Sequence, residues 1–212
     1  MEEPDVKTKI LKGAEELFMR YGVRSITMDE IARHLGISKK TLYQYYVDKD
    51  DIVASTTQDH LVNEKKQFDQ IAEESANSVE ELVKLSHCLR ENLKGMNPSL
   101  LFDLQKYHHK AWNIWIEFKT KFIRESVMRN IKRGIEQGLF RPELDPDILA
   151  VVRIETVQLG FDDQLFPREK FNLPEVQMQI LEHFIHGLLT DKGRKLFMKY
   201  KKEINYQPSR II

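Results

Sequence analysis

Apolar residues recur along this chain at helical intervals of three and four, and no strand-length run alternates apolar with polar, so the pattern predicts an all-α protein. Ile10, Leu11, Ala14, Leu17, Phe18 and Tyr21 form the inward stripe of a first helix, which Gly22 ends. Met28, Ile31, Ala32 and Leu35 repeat that spacing over about two turns before Gly36, a residue free to take positive φ past a helix end. Thr27 and Glu30 stand at the spacing of a capping box: the hydroxyl accepts from the amide of residue 30, and the carboxylate accepts from the amide of residue 27. Ile37 then supplies an apolar plug, and Ser38 is a good N-cap for a third helix whose Leu42 and Tyr46 stand one turn apart. Two short helices and a tight turn make a helix-turn-helix. The first helix should brace it by packing on Ile31, Leu35, Leu42 and Tyr46.

The outward face of the third helix carries the chemistry. With Leu42 pointing inward, Lys40 and Gln44 fall near the opposite side, flanked by Thr41 and Tyr43. A major groove is read by such donors and acceptors, and phosphates are held by Lys, Thr and Tyr. Ser38, Lys39, Lys40, Thr41, Tyr43, Gln44 and Tyr45 are therefore candidate contacts to double-stranded DNA, with Thr27 and Lys49 holding phosphates. A merely solvated face would account for the lysines but not for the threonine, tyrosine and glutamine gathered beside them. Lys49 sits in the first turn of a fourth helix capped by Asp48, where the dipole disfavours a cation, and a DNA phosphate would supply the reason for it. Asp50 and Asp51 suit the dipole but would repel that phosphate, so the lysine must reach past them.

The stretch ILKGAEELFMRYGVRSITMDEIARHLGISKKTLYQYYVDKDDIV, including Gly22 and the Leu42–Tyr43 pair, resembles the DNA-binding domain of the TetR family of bacterial transcriptional regulators. The resemblance implies a three-helix head, a mostly helical regulatory body, a homodimer, and a small ligand that releases DNA. Lys40 departs from it, standing where the family most often has glycine.

No Gly-, Pro- or Ser-rich linker separates head from body, and a continuous helix is expected from about Lys49 to Glu74. The expected division is residues 1–48 for the head and 49–212 for a helical regulatory, ligand-binding and dimerisation domain. Ser78 and Glu81 repeat the capping-box spacing before Leu82, Leu85, Cys88 and Leu89; Asn97-Pro98 starts another helix. Ala111 to Gln137 reads as one long helix ended by Gly138, and Asp145-Pro146 and Asn172-Leu173-Pro174 open two more.

Within the body, Phe102, Tyr107, His108, Trp112, Trp115, Phe118 and Phe122 could line an apolar cavity for a small-molecule effector, although such stripes also build cores. The segments Pro146–Leu165 and Pro174–Leu189 resemble the family's dimer pair. Ile180, Leu181, Phe184, Ile185, Leu188 and Leu189 make a wide apolar face with Gly187 beside it, suited to a four-helix bundle with a second chain; an internal core is the alternative. His183 and His186 beside Glu182 have ligand-like spacing, but no third ligand is evident and no metal or cofactor is expected. Lys192, Arg194, Lys195, Lys199, Lys201 and Lys202 make a basic terminal helix, expected to be solvated.

Composition sharpens this picture in one place. Net charge is zero over 212 residues, yet Arg20 to Lys49 holds six basic residues against three acidic, leaving +3 on the head. A single cysteine excludes an intrachain disulfide. The opening MEEPDVKTK is unlike a signal peptide, and no apolar run approaches the roughly 20 residues of a membrane span, so a cytoplasmic location is expected. Neither a Gly-rich phosphate loop nor a nucleophile motif is present, which leaves an enzyme remote. The expected function is a sequence-specific, ligand-responsive repressor; the second reading is an architectural or division-site DNA-binding protein of the same fold without an inducer.

Overall fold

The computed structural model describes residues 5–203; Met1–Pro4 of the acidic opening and the residues after Glu203 lie outside the described residues. The described chain is helical, with α1 at Val6–Tyr21, α2 at Met28–Leu35, α3 at Lys39–Tyr45, α4 at Lys49–Glu73 and α5 at Ser78–Leu93. α6 spans Leu100–Tyr107 and α7 His109–Glu117; a π segment, Phe118–Ile123, leads into α8 at Arg124–Glu136. α9 spans Pro146–Leu159, α10 Leu173–Leu188 and α11 Asp191–Glu203. The chain forms two compact units: one runs through Glu64 and takes in Gly95–Phe118, the other comprises Lys65–Lys94 and the chain from Lys119 onward.

In the first unit, Ile10, Ala14, Leu17 and Phe18 of α1 are buried, as are Ile31 and Ala32 of α2, Leu42 of α3 and Tyr46. This is the small core expected for a helix-turn-helix, with two adjustments. Tyr21, the last residue of α1, is half exposed with the Arg20 guanidinium over its ring. Leu35 is only partly buried and rests on Gly13, where an added Cβ would collide with the leucine side chain. Gly22 and Gly36 take φ of 81° and 65°, as their places past helix ends require. The unit also recruits α6 and α7. The Asn97 amide donates to the Met19 carbonyl at 2.6 Å, and the Arg24 amide donates to Asp103 Oδ2 at 3.2 Å.

In the second unit, α5, α8, α10 and α11 contribute to one core that includes Val79, Val83, Ile131, Phe140, Leu181, Ile185, Leu188 and Phe197. The α5 cap is not the Ser78–Glu81 pair. Asn77 has the extended backbone of an N-cap, and its side chain accepts from the amides of Val79 and Glu80 at 3.1 and 3.0 Å. Ser78 is thereby the first helical residue, and Glu81 is turned inward toward Arg133, 3.6 Å away. The predicted helix from Ala111 to Gln137 is interrupted by the π segment, a local one-residue widening that periodicity does not register. α9 opens on Asp145 and α10 on Asn172, both accepting from first-turn amides as their Asx-Pro contexts predict. α9 closes at Leu159 before Gly160 and does not continue to Leu165.

Candidate nucleic-acid interface

Each element of the interface is fixed by local chemistry. Thr27 Oγ1 accepts from the Glu30 amide at 3.2 Å, while the Thr27 amide donates to Glu30 Oε2 at 2.7 Å, so the capping box is closed at the start of α2. That backbone hydrogen bond, with the Thr27 hydroxyl, holds the Glu30 carboxyl below its ordinary range. Gly36 reverses the chain in the left-handed region, and the Ser38 hydroxyl accepts from the Thr41 amide at 3.0 Å to start α3. Leu42 and Tyr46 then anchor α3 from below. Burial pushes the Tyr46 phenol up to about 12, and its hydroxyl is enclosed without a partner among the described residues.

Opposite Leu42 on α3, Lys40 and Gln44 are exposed, with Tyr43 and Tyr45 exposed on the flanks. Not every predicted contact is equally available. Lys39 Nζ is 2.7 Å from Asp29 of α2, whose hydrogen bond raises the lysine pKa, so this cation is partly spent within the head. Thr41 is partly buried, with its hydroxyl 2.7 Å from that of Ser38. Thr27 is exposed at the head of α2, its hydroxyl also reaching Glu30 Oε2 at 2.8 Å. Lys49 is half-buried; burial lowers its pKa, and its ammonium lies 3.5 Å from the Arg24 carbonyl. It stands beside the head's own backbone instead of projecting freely from the start of α4.

The aromatic residues proposed for a cavity differ in their exposure and partners. Phe102 and Tyr107 are exposed, and the Lys106 ammonium lies over both rings. His108 is buried, but its Nδ1 is 2.5 Å from Asp50 Oδ1, so it ties the α6–α7 junction to the first turn of α4. Trp112 is half-buried, and Trp115 is buried next to a half-buried Phe118. Trp115 Nε1 lacks a partner among the described residues. Phe122, in the second unit, stacks on Phe68 with centroids 6.4 Å apart.

The face predicted for dimerisation is mostly spent inside the chain. Leu181, Ile185 and Leu188 are core residues of the second unit, Ile180 and Phe184 are partly buried, and Gly187 is exposed. Instead, α9 shows Ile148, Val151, Val152 and Leu159 to solvent, spaced along one side. Sequence reasoning missed this stripe because α9 is apolar on its inner side as well. His186 stacks edge-on against Phe197 and approaches Glu182, while His183 is exposed; the described residues hold no cluster of three or more metal-ligating side chains. No helix among the described residues is long and apolar enough to cross a membrane.

A capped helix-turn-helix with a polar, basic outer face, joined by α4 to a helical body, defines a DNA-binding regulator. Residues 10–56 match the family described as bacterial regulatory proteins, tetR family. The chain is 28% identical over 172 residues to the HTH-type transcriptional regulator YvaF of Bacillus subtilis, covering 79% of this chain and 88% of that one. Among solved structures it is similar to the transcriptional regulator FadR from Bacillus subtilis in complex with stearoyl-CoA (TM-score 0.64, 18% identity, 85% of this chain and 98% of that one). It is also similar to a transcriptional regulator from Saccharomonospora viridis in complex with choline (TM-score 0.67, 18% identity, 89% and 100% covered). The relatives matched are HTH-type transcriptional regulators and repressors. The match to that family covers the helix-turn-helix head of this chain, and the matched relatives extend the likeness into its helical body.

Proposed function

We propose that the chain is a cytoplasmic repressor that binds a pseudo-palindromic operator as a homodimer and is released from it by a small effector. Residues 1–48 supply the DNA-reading head, and residues 49–212 supply the regulatory and dimerisation body. The observation that carries the proposal is the shared exposure of Lys40 and Gln44 on the side of α3 opposite the buried Leu42, with Tyr43 and Tyr45 exposed on its flanks. Lys40 and Gln44 are the base readers; Tyr43 and Tyr45, with Ser38, Lys39, Thr41, Thr27 and Lys49, position the backbone. Lys39 must first exchange Asp29 for a phosphate, a trade that costs little because both groups are exposed.

Homodimerisation is supported by the exposed stripe Ile148, Val151, Val152 and Leu159 on α9, while Ile180 and Phe184 of α10 are only partly buried and Gly187 is exposed. Two copies of this pair would make a four-helix bundle. The effector is supported by solved regulators of this fold that hold stearoyl-CoA or choline. Selecting bound sites from random DNA tests the proposal. An inverted repeat should emerge with half-sites about one helical turn apart, and affinity should fall steeply with salt. Recovery of a lone half-site bound by a monomer would overturn the dimeric reading.

A further inference from the structure

Among the described residues of the second unit, two cationic side chains are more than nine-tenths buried: Lys119, 4% exposed, and Arg153, 7% exposed. Their surroundings differ. Lys119 Nζ donates to Glu155 Oε1 at 3.1 Å and to Gln158 Oε1 at 2.6 Å, so α9 supplies a counter-charge and a second acceptor. Arg153, on the same helix, has no such provision, and its Nη1 is sealed from solvent without a hydrogen-bond partner among the described residues. Burial alone pulls the Arg153 pKa down to about 10, with no acidic neighbour acting to raise it. An enclosed guanidinium without a counter-ion is among the costlier things a core can hold.

The position of Arg153 narrows what could neutralise it. At 100° per residue it shares a side of α9 with Ala150, Val157 and Gly160. That side faces α10: Gln177 Nε2 donates to the Val157 carbonyl at 2.9 Å, and a Cβ at Gly160 would strike the Gln177 side chain. A second chain docking on the outer stripe of α9 would meet the other side of the helix, away from Nη1. DNA is excluded for the same reason of burial. A small anion entering the unit would supply the missing counter-charge.

We propose that Arg153 anchors the anionic group of an effector, a carboxylate or a phosphate ester, inside the second unit. The guanidinium fork presents parallel N–H donors matched to two oxygens of either group, which a point cation does not. A quaternary ammonium such as choline is the wrong charge for this position. The inference rests on the effector part of the proposed function and is independent of how the head reads DNA.

Thermal unfolding of the full chain tests it, with decanoate, decyl phosphate, 1-decanol and decyltrimethylammonium as probes that share one tail and differ in headgroup. One or both anions should raise the Tm, by about 5–10 °C at a hundredfold excess over Kd, and the alcohol and ammonium should not. Which anion acts separates a carboxylate effector from a phosphate one. Arg153→Met should leave the Tm without added anion unchanged or higher, because the uncompensated charge is gone, and should abolish the anion shift. Arg153→Lys should keep part of it. The proposal is overturned if Arg153→Met lowers the Tm without anion, if the anion shift survives in that variant, or if neither anion stabilises the wild-type chain. If the anions act through Arg153 but leave the operator complex intact, the anion site stands and effector release of DNA fails.

Discussion

Leu42 and Tyr43 are neighbours in α3 with opposite duties, and replacing each by alanine separates the fold of the head from its function. Leu42 is fully enclosed at 0% exposure, whereas Tyr43 is 44% exposed. Truncating Leu42 removes three carbons from the core, a transfer loss of about 2.4 kcal/mol at about 0.8 kcal/mol per buried methylene. The head is built from short helices that cannot close fully over the cavity, so the total should reach about 3–5 kcal/mol. A surface truncation at Tyr43 should stay within about 0.5 kcal/mol. In urea titrations followed by circular dichroism, with hydrogen exchange localising the loss to α1–α3, Leu42→Ala should destabilise the head and Tyr43→Ala should not. In operator binding the order differs: Tyr43→Ala should weaken binding with stability intact, and Leu42→Ala should weaken it only as far as the head unfolds. If Leu42→Ala kept full stability while Tyr43→Ala lost it, the assignment of inner and outer faces of α3 would be reversed.

Lys40→Gly distinguishes base reading from phosphate holding. A base reader should relax preference at one position per half-site by about 1–3 kcal/mol, whereas a phosphate contact should lower affinity for all sequences and cut the salt slope by about one; no change in either would remove Lys40 from the interface. Val151→Glu on α9 places a charge at the centre of the proposed dimer stripe, and light scattering should report a monomer with much weakened operator binding; an unaltered dimer refutes that interface. His60 of α4 pairs with Glu15 of α1, Nδ1 to Oε1 at 2.6 Å. Burial disfavours the imidazolium, but the Glu15 hydrogen bond and the charges of Glu64, Glu15 and Asp59 more than offset it, so the pKa is raised above 6.5. The pair's stabilisation is therefore complete below the unfolded value and lost as pH rises through the raised folded one. Stability measured from acid to mildly alkaline pH should decline more gently in His60→Gln than in the wild type; parallel curves would show that the pair contributes nothing.

The helix-turn-helix was legible in the sequence because each of its boundaries is set by residues within a few positions of one another. The Thr27–Glu30 box, the positive φ of Gly36 and the Ser38 cap need no tertiary partner to be recognised. Legibility ends where a residue's role is decided from far along the chain. Asp103 receives the Arg24 amide across 79 residues, and His108 meets Asp50 across 58, so the aromatic run around them could suggest a cavity while its exposed members lay on the surface. Ser78 and Glu81 had the right letters at the right spacing. Asn77, one residue earlier, is also a strong cap, and the helix starts from it because Glu81 is drawn inward by Arg133 and the Ser78 amide is taken by Gln137.

α9 shows why the regulatory half was harder to read. Its exposed apolar residues, Ile148, Val151, Val152 and Leu159, cluster on one side, and its buried ones, Ala150 and Ile154, lie away from them. With both sides apolar, the sequence has no periodic contrast to reveal which one faces solvent. Arg153 reverses the usual rule as well, since the charged residue is inside and the valines are outside. At 100° per residue it lies about 160° from Val151, on the far side of the helix. The two properties inferred for α9 are therefore separable: a charge at Val151 should break the dimer and leave the response to anions at Arg153 in place, whereas Arg153→Met should remove that response from a protein that still dimerises. Loss of both from either substitution would mean that α9 does not hold two faces with separate tasks, and the assignment of Arg153 to a ligand would fall with the assignment of the stripe.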